Sequence, residues 1–227
     1  MLNNFLLFTA LPDEATETFE LVSIITLAVT IILVLVLCKF NKKINTKKLT
    51  LSAMLISLSF VLSFIKVKIA PQGGSVTLMS MVPVLLACYF GGFSLGAFIG
   101  FAFAILQFVS SPWVLTIETF LLDYILAYTA VMLAPTFKKI VKNQTISLLL
   151  GTLLVYIVRI ICHVLSGMII FNFGIISEGF PIDNAFIYSF IYNVTYLVPD
   201  MILSMVGIVA LAQTNVITTV EKQFVSI

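Results

Sequence analysis

Apolar residues in this chain fall in long unbroken runs separated by short polar stretches, with little of the alternation that marks a half-buried strand. Leu21–Cys38 carries no charge along its whole length. Further runs are Leu51–Val67, Val76–Tyr89, Phe93–Val109, Thr116–Ala134, Ile146–Phe171 and Phe186–Ala212. A membrane-crossing helix needs about 20 mostly apolar residues. The pattern therefore predicts seven spans, with Val76–Tyr89 short enough to be tilted, kinked or partly re-entrant. Transmembrane β-barrels instead show roughly 10-residue strands of alternating polarity, so a barrel is not expected.

The polar interruptions set the organisation. The Lys/Asn-rich stretch Asn41–Lys48 divides an N-terminal tail and anchor helix (1–48) from one compact bundle (49–227). Pro71–Ser75 and Ser110–Trp113 are polar connections, and Asn172–Asn184 is long enough to act as a lid or to serve as a passive connector. Gly92-x-x-x-Gly96-x-x-x-Gly100 reads as a small-residue stripe that lets a second helix approach closely.

Composition sharpens the picture. The chain is 61% hydrophobic and only 10% charged, with mean hydropathy +1.18; soluble domains carry about 25% charge. The net charge of +2 matters less than its placement. Lys39, Lys42, Lys43, Lys47 and Lys48 lie between the first two spans, and Lys138, Lys139 and Lys142 between the fifth and sixth. The positive-inside rule puts both loops in the cytoplasm, hence the N-terminus outside and the C-terminus inside. Lys66 and Lys68, at an outer helix end, are expected to snorkel. Acidic residues before Leu21 and the lack of a basic leader argue against a signal peptide. Cys38, Cys88 and Cys162 have no metal or disulfide spacing and read as small core residues.

Four ionisable residues lie within apolar runs away from the run ends where Lys66 and Glu118 sit: Asp123, Arg159, His163 and Asp200. Each costs about 2.5–3.5 kcal/mol on insertion scales, so each needs a partner, a wet cavity or a ligand. Trp113, Asp123 and Tyr124 lie toward the outer end of the fifth span, His163 and Ser166 toward that of the sixth, and Tyr188, Tyr192, Asn193 and Tyr196 toward that of the seventh. Arg159 and His163 are four apart and share a helix face. Aromatic faces attract cations and a buried carboxylate neutralises one, so the set suits a small, flat, cationic, hydrogen-bonding ligand. Plainer roles stay open. Asp123 could pair with Arg159, His163 could be a satisfied core histidine, and the tyrosines and Trp113 could form an interfacial belt. Asp200, directly after Pro199, could satisfy backbone groups freed by the proline or pair with Arg159.

No nucleotide-binding loop, H-E-x-x-H or G-x-S-x-G motif is present. Ser166 and His163 are three apart, but nothing supplies an oxyanion site. Neither an enzyme nor a metal or cofactor site is expected, and no nucleic-acid partner.

Pro71–Leu78 followed by Met81-Val82-Pro83, Leu121–Tyr124, Arg159-x-x-x-His163-x-x-Ser166-Gly167 and Tyr188-Ser189-x-x-Tyr192-Asn193 together resemble the thiamine-specific substrate-binding (S) component, ThiT type, of energy-coupling-factor (ECF) vitamin transporters. The resemblance runs from about Leu49 to Ala212. It implies an all-α integral membrane protein: a six-helix S-component bundle, here with one extra N-terminal transmembrane helix, in the bacterial plasma membrane. It implies thiamine bound near the outer face by Asp123, Tyr124, His163, Tyr188, Asn193, Trp113 and Phe171. Gly74 and Phe171 stand where some members carry tryptophan, and Asp123 where many carry glutamate. It further implies a docking patch, Ala53-x-x-x-Ser57, for a transmembrane coupling subunit that works with two ATPase subunits. The alternatives are an S component for another vitamin, or a stand-alone proton-coupled transporter using Asp123, His163 and Asp200 as a relay.

Overall fold

The structure is a computed structural model that describes residues 24–26, 28–30, 45–70, 74–172 and 184–225. Ile24–Thr26 and Ala28–Thr30 are helical, and the Thr30 hydroxyl donates to the Thr26 carbonyl. The rest of the expected anchor Leu21–Cys38, most of the linker Asn41–Lys48, and nearly all of the expected lid Asn172–Asn184 lie outside the described residues.

Helix α1, Thr46–Ser63, starts at Asn45, whose side chain accepts the Lys47 N–H. It ends earlier than the expected run to Val67. Lys66–Lys68 (β1) and Ser75–Thr77 (β2) pair antiparallel, with Lys66 opposite Thr77 and Lys68 opposite Ser75. The hairpin corrects two expectations. Val67 and Val76 belong to strands rather than helices, and Lys66 and Lys68 project from a strand instead of snorkelling from a helix end. The reason is visible in Lys-Val-Lys and Ser-Val-Thr, which alternate with the period of two that strands follow.

Helical residues resume at Met81 and run to Ser110 (α2). The buried Ser59 hydroxyl of α1 accepts the Val84 N–H near the start of α2, in the region where a helix lacks internal acceptors. Gly92 interrupts α2 with φ 82°, ψ 176°, a conformation essentially reserved for glycine. The Cys88 thiol comes within 3.7 Å of the Gly96 carbonyl. In a straight helix residues eight apart are separated by about 12 Å, so the chain doubles back at Gly92. The two arms match the expected spans Val76–Tyr89 and Phe93–Val109, less the strand residues of the first. The glycine stripe is corrected in part: Gly92 makes the turn, while Gly96 and Gly100 press on the next element.

That element, α3, is continuous but irregular: α-helical Ile117–Phe120, π-helical Leu121–Leu126, α-helical Ala127–Thr129 and 3₁₀ Ala130–Leu133. A Cβ on Gly100 would lie 2.7 Å from the Thr129 Cα and 2.8 Å from the Tyr128 carbonyl oxygen. Backbone cannot yield as a side chain can, so Gly100→Leu should lower the thermal midpoint of the detergent-solubilised protein. Overpacking of this kind costs about 1–3 kcal/mol, and an unchanged melting curve would contradict the close contact.

Helices α4 (Gln144–Asn172) and α5 (Ala185–Ala212) form the most extensive helix pair. A short helix, α6 (Val216–Val225), folds under the bundle. Its Phe224 is buried and stacks on Phe90. Lys138, from the basic α3–α4 loop, lies over the Tyr89 and Phe90 rings. This end is packed with aromatic side chains. Four of the described helices, α1, α2, α4 and α5, are long and apolar enough to cross a membrane. Cys88 and Cys162 are buried free thiols; Cys38 lies outside the described residues.

Candidate functional site

At the opposite end the elements leave a cavity of about 370 Å³, within the usual range for small-molecule sites. The β hairpin, the Ser110–Trp113 connection and helices α3, α4 and α5 wall it. Of the seven residues the sequence nominates for the ligand, Trp113, Asp123, Tyr124, His163, Phe171 and Asn193 line it. Tyr188 does not. It is buried behind Phe171, edge-on to that ring with centroids 4.3 Å apart. Its place is behind the aromatic wall, supporting it.

Asp123 and Tyr124 ride on the π-helical stretch of α3. Such wide turns are rare and recur at functional sites. Oδ1 of Asp123 meets His163 Nδ1 at 2.7 Å, and Oδ2 accepts the Ser166 hydroxyl. The Asp123 side chain stays 16% exposed and that of His163 12%, and both line the cavity. Two residues of α4 thus fix the α3 carboxylate against the open space. Tyr124 plays another part: its hydroxyl donates to the Ser111 carbonyl at 2.6 Å and accepts the Trp113 N–H, which ties the loop carrying Trp113 to α3.

Both N–H groups of the Asn193 amide are engaged. Nδ2 donates to the His163 and Ser189 carbonyls, and Oδ1 accepts the Tyr196 hydroxyl. A ligand acceptor must exchange one of the Nδ2 partners, whereas a ligand donor can use the second lone pair of Oδ1. Phe171, Tyr192 and Tyr196 form an aromatic flank, with Phe171–Tyr192 and Tyr192–Tyr196 centroids both 5.8 Å apart. Gly74, where some relatives of the resembled family have tryptophan, donates its N–H to the Tyr192 hydroxyl.

Of the two pairings left open for Arg159, the one with Asp200 forms and the one with Asp123 does not. Arg159 faces Asp200 at 3.8 Å, with the two side chains only 5% and 6% exposed, and lies over the Tyr128 and Tyr156 rings. Asp200 Oδ1 accepts both the N–H and the hydroxyl of Thr77, and Oδ2 accepts the Tyr156 hydroxyl. Asp200 therefore anchors the hairpin to α4 and α5. Among the described residues Asp123 and Asp200 share no hydrogen-bond partner, so the geometry holds no direct relay between them. Ser166 donates to Asp123 and not to His163, so it lacks the adjacent imidazole base a serine nucleophile requires.

Several wall residues escaped the sequence reading as ligand candidates: Lys66, Lys68, Gln107, Ser111 and Tyr128. Gln107 carried a usable signal, as an amide inside an apolar run. Lys66 and Lys68 did too, in the strand alternation.

The comparisons with known proteins agree on one family. A family model described as thiamine transporter protein matches residues 49–220. The curated thiamine transporter ThiT of Bacillus subtilis (strain 168) is 31% identical over 154 residues, covering 63% of this chain and 78% of that protein. The solved structure of ThiT from Listeria monocytogenes superposes with TM-score 0.63 at 21% identity, over 78% of this chain and 96% of the other. That likeness bears on the fold, an all-helical membrane bundle.

Proposed function

This chain belongs to the thiamine transporter protein family, and from that premise we propose that it is the substrate-binding component of an importer, capturing thiamine from outside the cell and passing it inward with an ATP-driven coupling module. Membership makes it a multi-pass bacterial membrane protein and a transporter, not an enzyme. The observation that carries the finer reading is the Asp123 carboxylate, held by His163 and Ser166 and facing a cavity flanked by aromatic rings. Thiamine brings a permanently cationic thiazolium ring and a hydrogen-bonding aminopyrimidine. A carboxylate offsets the first, aromatic faces favour a cation beside them, and the Asn193 amide can read the second. On this reading the cavity opens outward and the Lys138 end faces the cytoplasm.

Trp113 is the sole tryptophan and lines the cavity. Thiamine should therefore quench the intrinsic tryptophan emission saturably. A saturable response to riboflavin or biotin, with none to thiamine, would overturn the choice of vitamin.

Coupling is supported by α1. Ala53 and Ser57 are both exposed, one turn apart, and the Ser57 hydroxyl donates to the Ala53 carbonyl at 2.9 Å. The patch is small and leaves no hydroxyl unsatisfied toward lipid, which suits close helix–helix approach. Ala53→Trp should abolish thiamine uptake in cells while leaving binding to the purified chain intact. Unchanged uptake would remove α1 from the partner interface.

A further inference from the structure

We propose that the polar face of the β hairpin is a phosphate subsite, so that this chain takes the phosphate monoester of thiamine at least as well as the free vitamin. The inference rests on the thiamine reading above and extends it. Lys66 and Lys68 alternate along β1, so their side chains share one face, and their partners Thr77 and Ser75 lie directly across on the same face. All four line the cavity. Two ammonium groups and the Ser75 hydroxyl therefore form one wall, while the Thr77 hydroxyl donates to Asp200 behind it.

The charge balance gives this wall its meaning. The charged residues lining the cavity, among those described, are Lys66, Lys68, Arg159, Asp123 and Asp200. Arg159 and Asp200 face each other. Asp123 remains for the ring cation of the ligand. Among the described residues Lys66 and Lys68 are then left without a negative counterpart in the cavity, and free thiamine brings only positive charge. A phosphate ester carries about −1.5 to −2 charges near neutral pH, and lysine is a common point-charge partner for it. In the monoester the phosphate hangs on a two-carbon arm from the cationic ring, so one small molecule carries both signs close together. A chain of contacts links the lysine wall to the segment that carries Asp123. The Lys66 ammonium donates to the Ser111 hydroxyl at 3.0 Å, and the Ser111 carbonyl accepts from Tyr124, the residue after Asp123.

The test is titration calorimetry on the full chain in nanodiscs, with thiamine and thiamine monophosphate, for the native protein and the double variant Lys66→Gln, Lys68→Gln. The native chain should bind the monophosphate as tightly as thiamine or more so. The double variant should lose about tenfold or more in monophosphate affinity and hold or improve its thiamine affinity. Added salt should weaken the monophosphate more than thiamine, because these lysines are exposed to screening. Thiamine bound tightly with the monophosphate at least tenfold weaker in the native chain would overturn the subsite and leave the thiamine reading standing. Equal losses for both ligands in the double variant would overturn it as well. Neither ligand binding the native chain would sink the thiamine reading, and the subsite with it. A final arm adds millimolar inorganic phosphate to the thiamine titration. No change is expected, whereas a lysine-dependent gain would show the anion arriving as a separate molecule and overturn the tethered ester.

Discussion

Asp123→Asn should lower thiamine affinity by more than about tenfold, which corresponds to about 1.4 kcal/mol, when binding is measured by calorimetry. Truncating one member of a buried charge pair typically costs 2–5 kcal/mol, and the aspartate is held where such a pair would form. Asparagine keeps the size and an acceptor oxygen, so His163 and Ser166 keep a partner and the bundle should melt near the native temperature. What disappears is the negative charge facing the cavity. A variant that binds thiamine with native affinity would remove Asp123 from ligand recognition.

Asp200→Ala should act on the fold instead. The carboxylate accepts the Thr77 N–H at 2.9 Å, the Thr77 hydroxyl at 2.8 Å and the Tyr156 hydroxyl at 2.7 Å, and it is the counter-charge of the buried Arg159. Alanine leaves that guanidinium uncompensated, and breaking a buried ion pair from one side costs about 3–5 kcal/mol. Thermal unfolding in detergent should show a loss larger than any produced by Asp123→Asn. Equal melting temperatures for the two variants would mean that the Asp200 network carries little stability.

The two predictions separate carboxylates that look alike in the sequence. Both are lone acids in apolar runs, and the cost of burying them marks both as needing partners. Their roles diverge through contacts made across long separations: Asp123 with α4, Asp200 with the hairpin as well as α4. The apolar runs were long enough to reveal the helical bundle and to place Asp123, His163 and Asn193 toward one end. The hairpin was obscured because its strands are three residues each and join apolar helices. Tyr188 was nominated because resemblance transfers residue identity without depth, and Phe171 stands in front of it. The turn at Gly92 is legible only as the first member of the stripe Gly92, Gly96 and Gly100, since packing and turning glycines look the same in one dimension.

The π-helical stretch Leu121–Leu126 has a consequence of its own. Each residue of an α-helix advances the side-chain direction by about 100°, and a π turn absorbs one residue more than an α turn spans. The bearing of the Asp123 carboxylate is therefore decided by how many residues the coil holds as well as by which ones. A chain with every pocket residue intact but one fewer position between the start of α3 and Asp123 would point that acid elsewhere.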